Sequence, residues 1–344
     1  VARARVIVIN TMDPFITGGS ELFAARLTDE LNRAGHQALQ ITFPFRPRRF
    51  AQDALARAAL PWASLDLTGA ADVVIPLRFP TWLVQHPHKV IYLNHQLRGA
   101  YDLFDAPHGP QATPESLAAR HYVMACDARL TEAKKLFAVS RNVCARLKHF
   151  NGLDAELLYH GLPLEGRHRR GEYGDYIVSV GRLVAMKRFD LLIRAMALTI
   201  TPVRCLIAGQ GREHAALEAL IADLGVGDKV QLLGWTSDED LLDLYSGALG
   251  AYYAPVDEDY GLVTLEAFQS AKPVLTAADS GGVLEFVADG ANGFILPPEP
   301  AAFAEAIDRL WLDRRLAAAM GQAGADAVRQ ITWANCVDRL SQFF

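Results

Sequence analysis

Glu258 and Glu266 stand eight positions apart in the run EDYGLVTLE. The apolar stretch 248–254 before them reads as a buried strand, and the residues after Gly261 read as a helix that ends at Ser270, before Lys272-Pro273. One acid therefore sits in a strand-to-helix loop and the other lies one to two turns inside the helix. The glycine-containing turn between them presents free backbone N–H groups at a helix N-terminus, which is a natural anion site. A phosphate with hydroxyl-rich flanks suits such a place, with hydroxyls for the carboxylates and phosphate for the amides. Two acids so close could equally work as an acid–base pair.

Other residues could serve the same chemistry. Arg182 and Lys187 lie five residues apart beyond a strand in VGRLVAMKRFDLL. Such a pair can grip a diphosphate, Arg by its planar fork and Lys as a point charge, and the plain alternative is a solvated loop. Arg188 reads as the weaker, surface neighbour. Gly18-Gly19-Ser20 falls between a strand and an amphipathic helix, where glycines admit a ligand and the helix end can hold phosphate. Ser20 is there a good N-cap, and no Gly-Lys-Ser/Thr follows to make a Walker loop. Gly209-Gln210-Gly211 is a GxG after a strand without the rest of the dinucleotide fingerprint, so a tight turn competes with a nucleotide contact. His95 follows KVIYLN at a strand end, where an imidazole can bond a hydroxyl or move a proton. His86, His88, His108 and His160 lack metal-ligand spacing.

These residues need elements to hold them. Short β-rich runs alternate with helical patterns: 6–10, a helix over 20–33 stopped at Gly35, then 38–43, 72–77, 89–94 and 136–140. The alternation restarts at 176–182, with a helix over 189–198 and further strands at 203–209, 229–235, 248–255 and 273–277. This pattern predicts βαβ units and parallel sheets. An α/β protein with two doubly wound, Rossmann-like sheets facing a cleft is the economical architecture. The charged, glycine-rich stretch 164–175 reads as the linker, and residues 331–344 as a terminal helix packing on the body.

Composition narrows the function classes. The chain has 344 residues, 51% of them apolar and 21% charged, enough for two cores and too apolar for disorder. No apolar run reaches the roughly 18 to 20 residues of a membrane span, and Arg3 and Arg5 precede only VIVI, too short for a signal-peptide core. Residues 1–172 hold 21 Lys+Arg against 16 Asp+Glu, and the remainder 13 against 23, so the halves carry +5 and −10. Opposite signs suggest two domains with different ligands, and without a dense basic run nucleic acid is not expected. The segment 43–62 mixes Arg46, Arg48 and Arg49 with Phe43, Phe45 and Phe50; it could lie on anionic lipid, receive an anionic acceptor, or be a solvated loop. Four scattered cysteines read as buried free thiols, in keeping with a bacterial-type cytoplasm.

Taken together, the chain resembles the retaining glycosyltransferases of the GT-B fold, of the family 4 type (glycosyl transferases group 1). The resemblance covers almost the whole chain. Five strings carry it in the family's order: VSVGRLVAMKRFDLLIRAM, IAGQGRE, LGWTSDEDLLDLY, EDYGLVTLEAFQSAKPVL and DSGGVLEFVADGANGFI. It implies an acceptor domain over 1–166 completed by about 329–344, and a nucleotide-sugar domain over 167–328. It also implies Arg182 and Lys187 on the donor diphosphate, Glu258 on the transferred sugar and Glu266 on the ribose. The amides of Tyr260, Gly261, Leu262 and Val263 would lie near the phosphates and sugar, with Gly209 and Gly211 on the donor side. Gly18 and Gly19 match the family's glycine loop, and His95 its histidine near the donor sugar. Many relatives also carry a histidine after the preceding strand, where this chain has Arg78.

The implied reaction is retaining transfer from GDP-mannose or a UDP-sugar to a saccharide or glycolipid hydroxyl, building a polysaccharide, lipopolysaccharide or glycolipid. It needs no metal or other cofactor, and its expected place is the cytoplasm, with peripheral contact to the inner face of the membrane. Glu266 on the ribose cannot attack the anomeric carbon, so a front-face route is favoured over double displacement. A non-catalytic sugar-nucleotide-binding protein and a GT-B sugar-nucleotide epimerase are the competing readings.

Overall fold

A computed structural model of the protein describes residues 3–15 and 18–344. The chain divides into two compact units, Val1–Pro163 with Ile331–Phe344, and Leu164–Gln330. The first contains β1 (Arg5–Met12), α1 (Gly19–Arg33), β2 (Gln37–Pro44), α2 (Gln52–Ala63), β3 (Val73–Pro76), β4 (Val90–Leu93), α3 (Pro114–Asp127), β5 (Lys135–Ala138), α4 (Arg141–Asn151) and β6 (Glu156–Leu157). The second contains β7 (Tyr176–Val180), α5 (Phe189–Met196), β8 (Arg204–Ala208), α6 (His214–Asp223), β9 (Val230–Gly234), α7 (Asp238–Gly247), β10 (Gly250–Tyr252), α8 (Leu262–Gln269), β11 (Val274–Ala277), β12 (Gly293–Leu296), α9 (Pro300–Leu312) and α10 (Arg314–Ala327). α11 (Trp333–Ser341) then returns to the first unit.

Both units are Rossmann-like. In the first, the ladders β2-β1-β3 and β4-β5-β6 are joined by parallel bridges between Val74 and Lys89 and between Arg78 and His95. In the second, one parallel sheet runs β12-β11-β10-β7-β8-β9, the doubly wound order. Strands covered on both faces must be apolar throughout. VIVI of β1 is at most 4% exposed, and 248–254 is buried end to end although only Gly250–Tyr252 pairs as strand. α1 turns Phe23, Ala24, Leu27 and Leu31 inward, a helical stripe matched to that sheet.

α11 packs on the first unit as its spacing predicts. Trp333 donates its ring N–H to the Leu162 carbonyl at 2.8 Å and stacks on His160 with centroids 5.2 Å apart. His36 Nε2 meets Ser341 Oγ at 2.9 Å, and His88 Nε2 donates to the Phe343 carbonyl at 2.7 Å.

Three expectations are corrected. The stretch 164–175 is not a free linker: Gly171 lies so close to Ser246 that a Cβ would stand 2.5 Å from its carbonyl oxygen. The buried Lys272 ammonium ties the same stretch down, donating to the Gly171 and Glu172 carbonyls at 3.1 and 2.9 Å. Half of 43–62 is a helix rather than a loop, with Phe43 packed on Trp62 at 4.7 Å. Its arginines are largely neutralised, Arg49 by Asp53 and Glu115, Arg57 by Asp53, and Arg46 weakly by Asp13. Finally, Ser20 is not the N-cap of α1. Gly18 holds that position, and the Ser20 hydroxyl accepts from Asn94 Nδ2 at 3.1 Å.

Candidate active site

In the second unit, β7 lies beside β10, and the strands run outward in sequence from that pair. The loops leaving β7 and β10 therefore diverge, and the crevice at their carboxyl ends is where doubly wound sheets take ligands. Those loops carry the sequence-predicted residues. After β7 the chain passes Arg182 and makes a tight turn at Ala185–Lys187. After β10 it runs through Tyr253 to Glu258. The second loop is pinned on both sides: Val256 N–H donates to Met186 O at 2.8 Å, Glu258 N–H to Ser280 O at 3.1 Å, and Gly282 N–H back to Glu258 O at 2.7 Å. Lys187 and Glu258 thus stand on backbone fixed by neighbouring loops.

The Lys187 ammonium donates to Glu258 Oε2 and, at 2.6 Å, to the Tyr253 hydroxyl. The two side chains are 16% and 24% exposed, so the pair is half-sheltered and still within reach of a ligand. Burial and the Glu258 charge push the Tyr253 phenol well above its ordinary range, so it stays protonated. Arg182 is exposed and makes no ion pair among the described residues. Its neighbour Arg188 differs from the expected surface residue. Arg188 forms a two-pronged pair with Asp279 at 2.8 and 2.5 Å, and its carbonyl accepts the Tyr252 hydroxyl at 2.8 Å. It staples the β7 loop to the loop after β11.

Gly261 caps α8 with φ +89°, a left-handed conformation that favours glycine. The following amides of Leu262 and Val263 have no acceptor among the described residues, leaving donors for an anion. Tyr260 is buried edge-on against Phe286 at 5.5 Å, so its side chain is structural. Glu266, in the second turn of α8, accepts the buried Tyr245 hydroxyl at 2.7 Å. Burial pushes its carboxyl above the ordinary range, and the Tyr245 hydrogen bond works against that.

The first unit has its own switch point, between β1 and β3. Gly18 there donates its N–H to Glu21 Oε2 at 3.0 Å. Glu21 also pairs with Arg78 at 3.2 Å, and Arg78 Nε donates to the Thr11 hydroxyl. Arg78 thus anchors the glycine turn through Glu21. Gly19 is exposed. His95, past the end of β4, is half-buried, and its Nδ1 lies 2.7 Å from the Gln96 carbonyl. A carbonyl oxygen only accepts, so Nδ1 carries a proton, and in the neutral ring Nε2 is the acceptor.

Comparison with known proteins agrees with this layout. The sequence model of "Glycosyl transferases group 1" matches residues 165–327. A D-inositol 3-phosphate glycosyltransferase of Frankia alni is 35% identical over 193 residues, which cover 50% of this chain and 47% of that protein. The chain thus spans about half the length of the curated relatives it matches. Among solved structures, sucrose-phosphate synthase from Thermosynechococcus elongatus superposes with a TM-score of 0.78 at 18% identity, covering 99% of this chain and 98% of that one. Anabaena Alr3699/HepE in complex with UDP and glucose gives 0.74 at 17%, covering 99% of both chains. Residues 165–327 therefore carry a group 1 glycosyltransferase domain. The chain's fold is GT-B.

Within the group 1 glycosyltransferase domain, the structure brings Lys187, Glu258, Gly261 and Glu266 together around the β7 and β10 loops. Tyr253 and Tyr245 escaped the sequence reading because tyrosines in an apolar run resemble core; both supply a hydroxyl to a site acid or cation. Gly209 and Gly211 serve packing. A Cβ on Gly209 would stand 1.8 Å from the Gly181 carbonyl oxygen, and one on Gly211 2.2 Å from that of Leu183. Both glycines let the β8 loop lie against the loop bearing Arg182. Gly209→Ala is therefore expected to cost roughly 2 kcal/mol in urea unfolding, through overpacking against the loop bearing Arg182. An unchanged unfolding midpoint would contradict this packing account. Among the described residues, no three His, Cys, Asp or Glu side chains cluster as metal ligands, and no helix is long and apolar enough to cross a membrane.

Proposed function

We propose that the protein is a retaining, metal-independent glycosyltransferase that moves a sugar from a nucleotide diphosphate sugar to a hydroxyl of a saccharide or lipid-linked acceptor. The observation that carries this reading is the charge arrangement at the β7 and β10 loops. Arg182, the Lys187 ammonium held between Glu258 and Tyr253, and the amides opening α8 form an electropositive cradle beside two hydroxyl-accepting carboxylates. The difficult step is charge build-up on the departing diphosphate, which such a cradle opposes by fixed electrostatics. Glu258 takes a sugar hydroxyl and Glu266 the ribose. The front-face route leaves the acceptor proton with the departing phosphate. The first unit, with Gly18, Gly19 and His95, receives the acceptor.

A UDP-sugar or GDP-mannose is the favoured donor. The HepE structure with UDP and glucose supports the former. The relatives named as D-inositol 3-phosphate glycosyltransferases support a hydroxyl-rich acceptor. The expected role is in polysaccharide, lipopolysaccharide or glycolipid synthesis, with the enzyme in the cytoplasm and against an anionic membrane face.

The test is a thermal-shift screen of UDP-, GDP-, ADP- and dTDP-sugars. A ligand at about 100 times its Kd adds about 2.7 kcal/mol, a midpoint rise of roughly 5 °C or more. The matching donor should give that rise in the wild type, and Arg182→Ala should reduce it to a degree or less. Product analysis with EDTA present then reads anomeric configuration and metal need. No response to any of the four would overturn the reading.

A further inference from the structure

Behind His95 lies a chain of buried polar groups that the proposed reaction does not itself use. Gln96 is fully buried, and its side-chain Nε2 donates to Asn151 Oδ1 at the end of α4. Asn151 Nδ2 donates to the Tyr101 hydroxyl at 3.0 Å, and that hydroxyl donates to Asp127 Oδ2 at 2.6 Å, at the end of α3. Asp127 is fully buried and Tyr101 is 3% exposed. The directions are forced. Tyr101 has one proton and gives it to the carboxylate, so its oxygen must accept from the Asn151 amide; the Asn151 carbonyl then faces Gln96 and fixes which way that side chain points. Gln96 Oε1 and Asp127 Oδ1 are left buried without a partner among the described residues. Buried polar groups in such a state are costly, and a fold retains them where they hold something in place.

We infer that Gln96, Asn151, Tyr101 and Asp127 are positioning residues: the relay holds the Gln96 backbone carbonyl against His95 Nδ1, fixing the imidazole as one tautomer with Nε2 as the acceptor. The inference rests on reading His95 as a site residue. The Asp127 carboxyl is held up at about 7 by burial, against the Tyr101 hydrogen bond and the nearby Trp82 indole. The relay is thus charged at one end only above neutrality.

Two-bond proton–nitrogen spectra of histidine-labelled protein read the tautomer directly and do not depend on turnover. Tyr101→Phe removes one oxygen and keeps the packing. It is expected to release His95 from a single Nδ1–H form and, because small misplacement is expensive, to lower kcat about 10-fold with donor KM within about twofold. Asp127→Ala should do the same. Asp127→Asn should rescue both readouts, because its amide oxygen can still accept from Tyr101 and its amide nitrogen can donate if the chain reverses. If Tyr101→Phe does not fold, Asn151→Leu breaks the chain one link further on and is read the same way. His95 keeping its tautomer in the broken-chain variants overturns the relay. If the spectra respond in a protein that transfers no sugar, the relay stands and the proposed function fails.

Discussion

Lys187→Ala is expected to lower kcat for sugar transfer by about 10²- to 10³-fold, the usual cost of removing one electrostatic stabiliser of a developing anion. The geometry makes the loss larger than a missing contact. Without the ammonium, Glu258 is a half-sheltered carboxylate beside the proposed diphosphate site with no counter-charge from Lys187. Donor binding should therefore weaken too. Glu258→Ala in the same background removes that repulsion, so the double variant should bind donor at least as tightly as Lys187→Ala alone, although it stays inactive. Lys187→Arg should not restore turnover. Its planar fork cannot reproduce a point charge that donates to Tyr253 at 2.6 Å and to Glu258 from one atom. Steady-state rates beside thermal midpoints check all four proteins. A loss under tenfold in folded Lys187→Ala would remove this residue from the reaction.

The second large effect concerns stability. Burial lowers His160 to about 4, against the Gly161 carbonyl bond that favours the proton. The imidazole is packed between Phe23 at 4.4 Å and Trp333 at 5.2 Å. Above about pH 6.5 it is neutral in both folded and unfolded chains, and its contribution is complete. As pH falls from there to about 4, the unfolded chain takes up a proton that the folded one refuses, and about 3 kcal/mol is lost. Asp127, held up at about 7, acts in the opposite sense, because acid relieves its burial penalty. The clean measurement is therefore a difference. Urea unfolding of wild type and His160→Phe, followed from pH 8 to pH 4.5, should show the wild type losing about 3 kcal/mol relative to the variant. Parallel curves would mean that His160 takes up its proton without cost. His36 and His88, also lowered by burial and also bonded to the C-terminal segment, act in the same direction as His160.

Much of this was legible in the residues themselves. Strands covered on both faces announce themselves as unbroken apolar runs, so β1, β4, β7 and β8 could be placed within a residue or two. Glu258 and Glu266 could be set in a loop and a helix, because a glycine-containing turn separates a buried run from a helical one. Partners were not legible. That Tyr253 rather than solvent meets Lys187, or that Arg188 seeks Asp279 at a separation of 91 residues, depends on which strands lie side by side. Sequence spacing cannot report this. The stretch 164–175 misled for a related reason: charge and glycine mark a linker, yet here the glycines serve close approach and the pull comes from a lysine about 100 residues away. Likewise Ser20 is a good cap by type, but two asparagines near the ends of β1 and β4 occupy its hydroxyl first.

The return of residues 331–344 to the first unit has a bearing on how the protein comes into being. The second unit is a continuous stretch, whereas the first is interrupted by it and completed only by Trp333, Ser341 and Phe343. On a ribosome, the portion begun first must wait with Phe23, His160 and the outer face of β5 uncovered until the whole of the other has emerged. Domains fold as units during synthesis. The second unit is thus the one ready to mature early, and the half begun first is the last to be sealed.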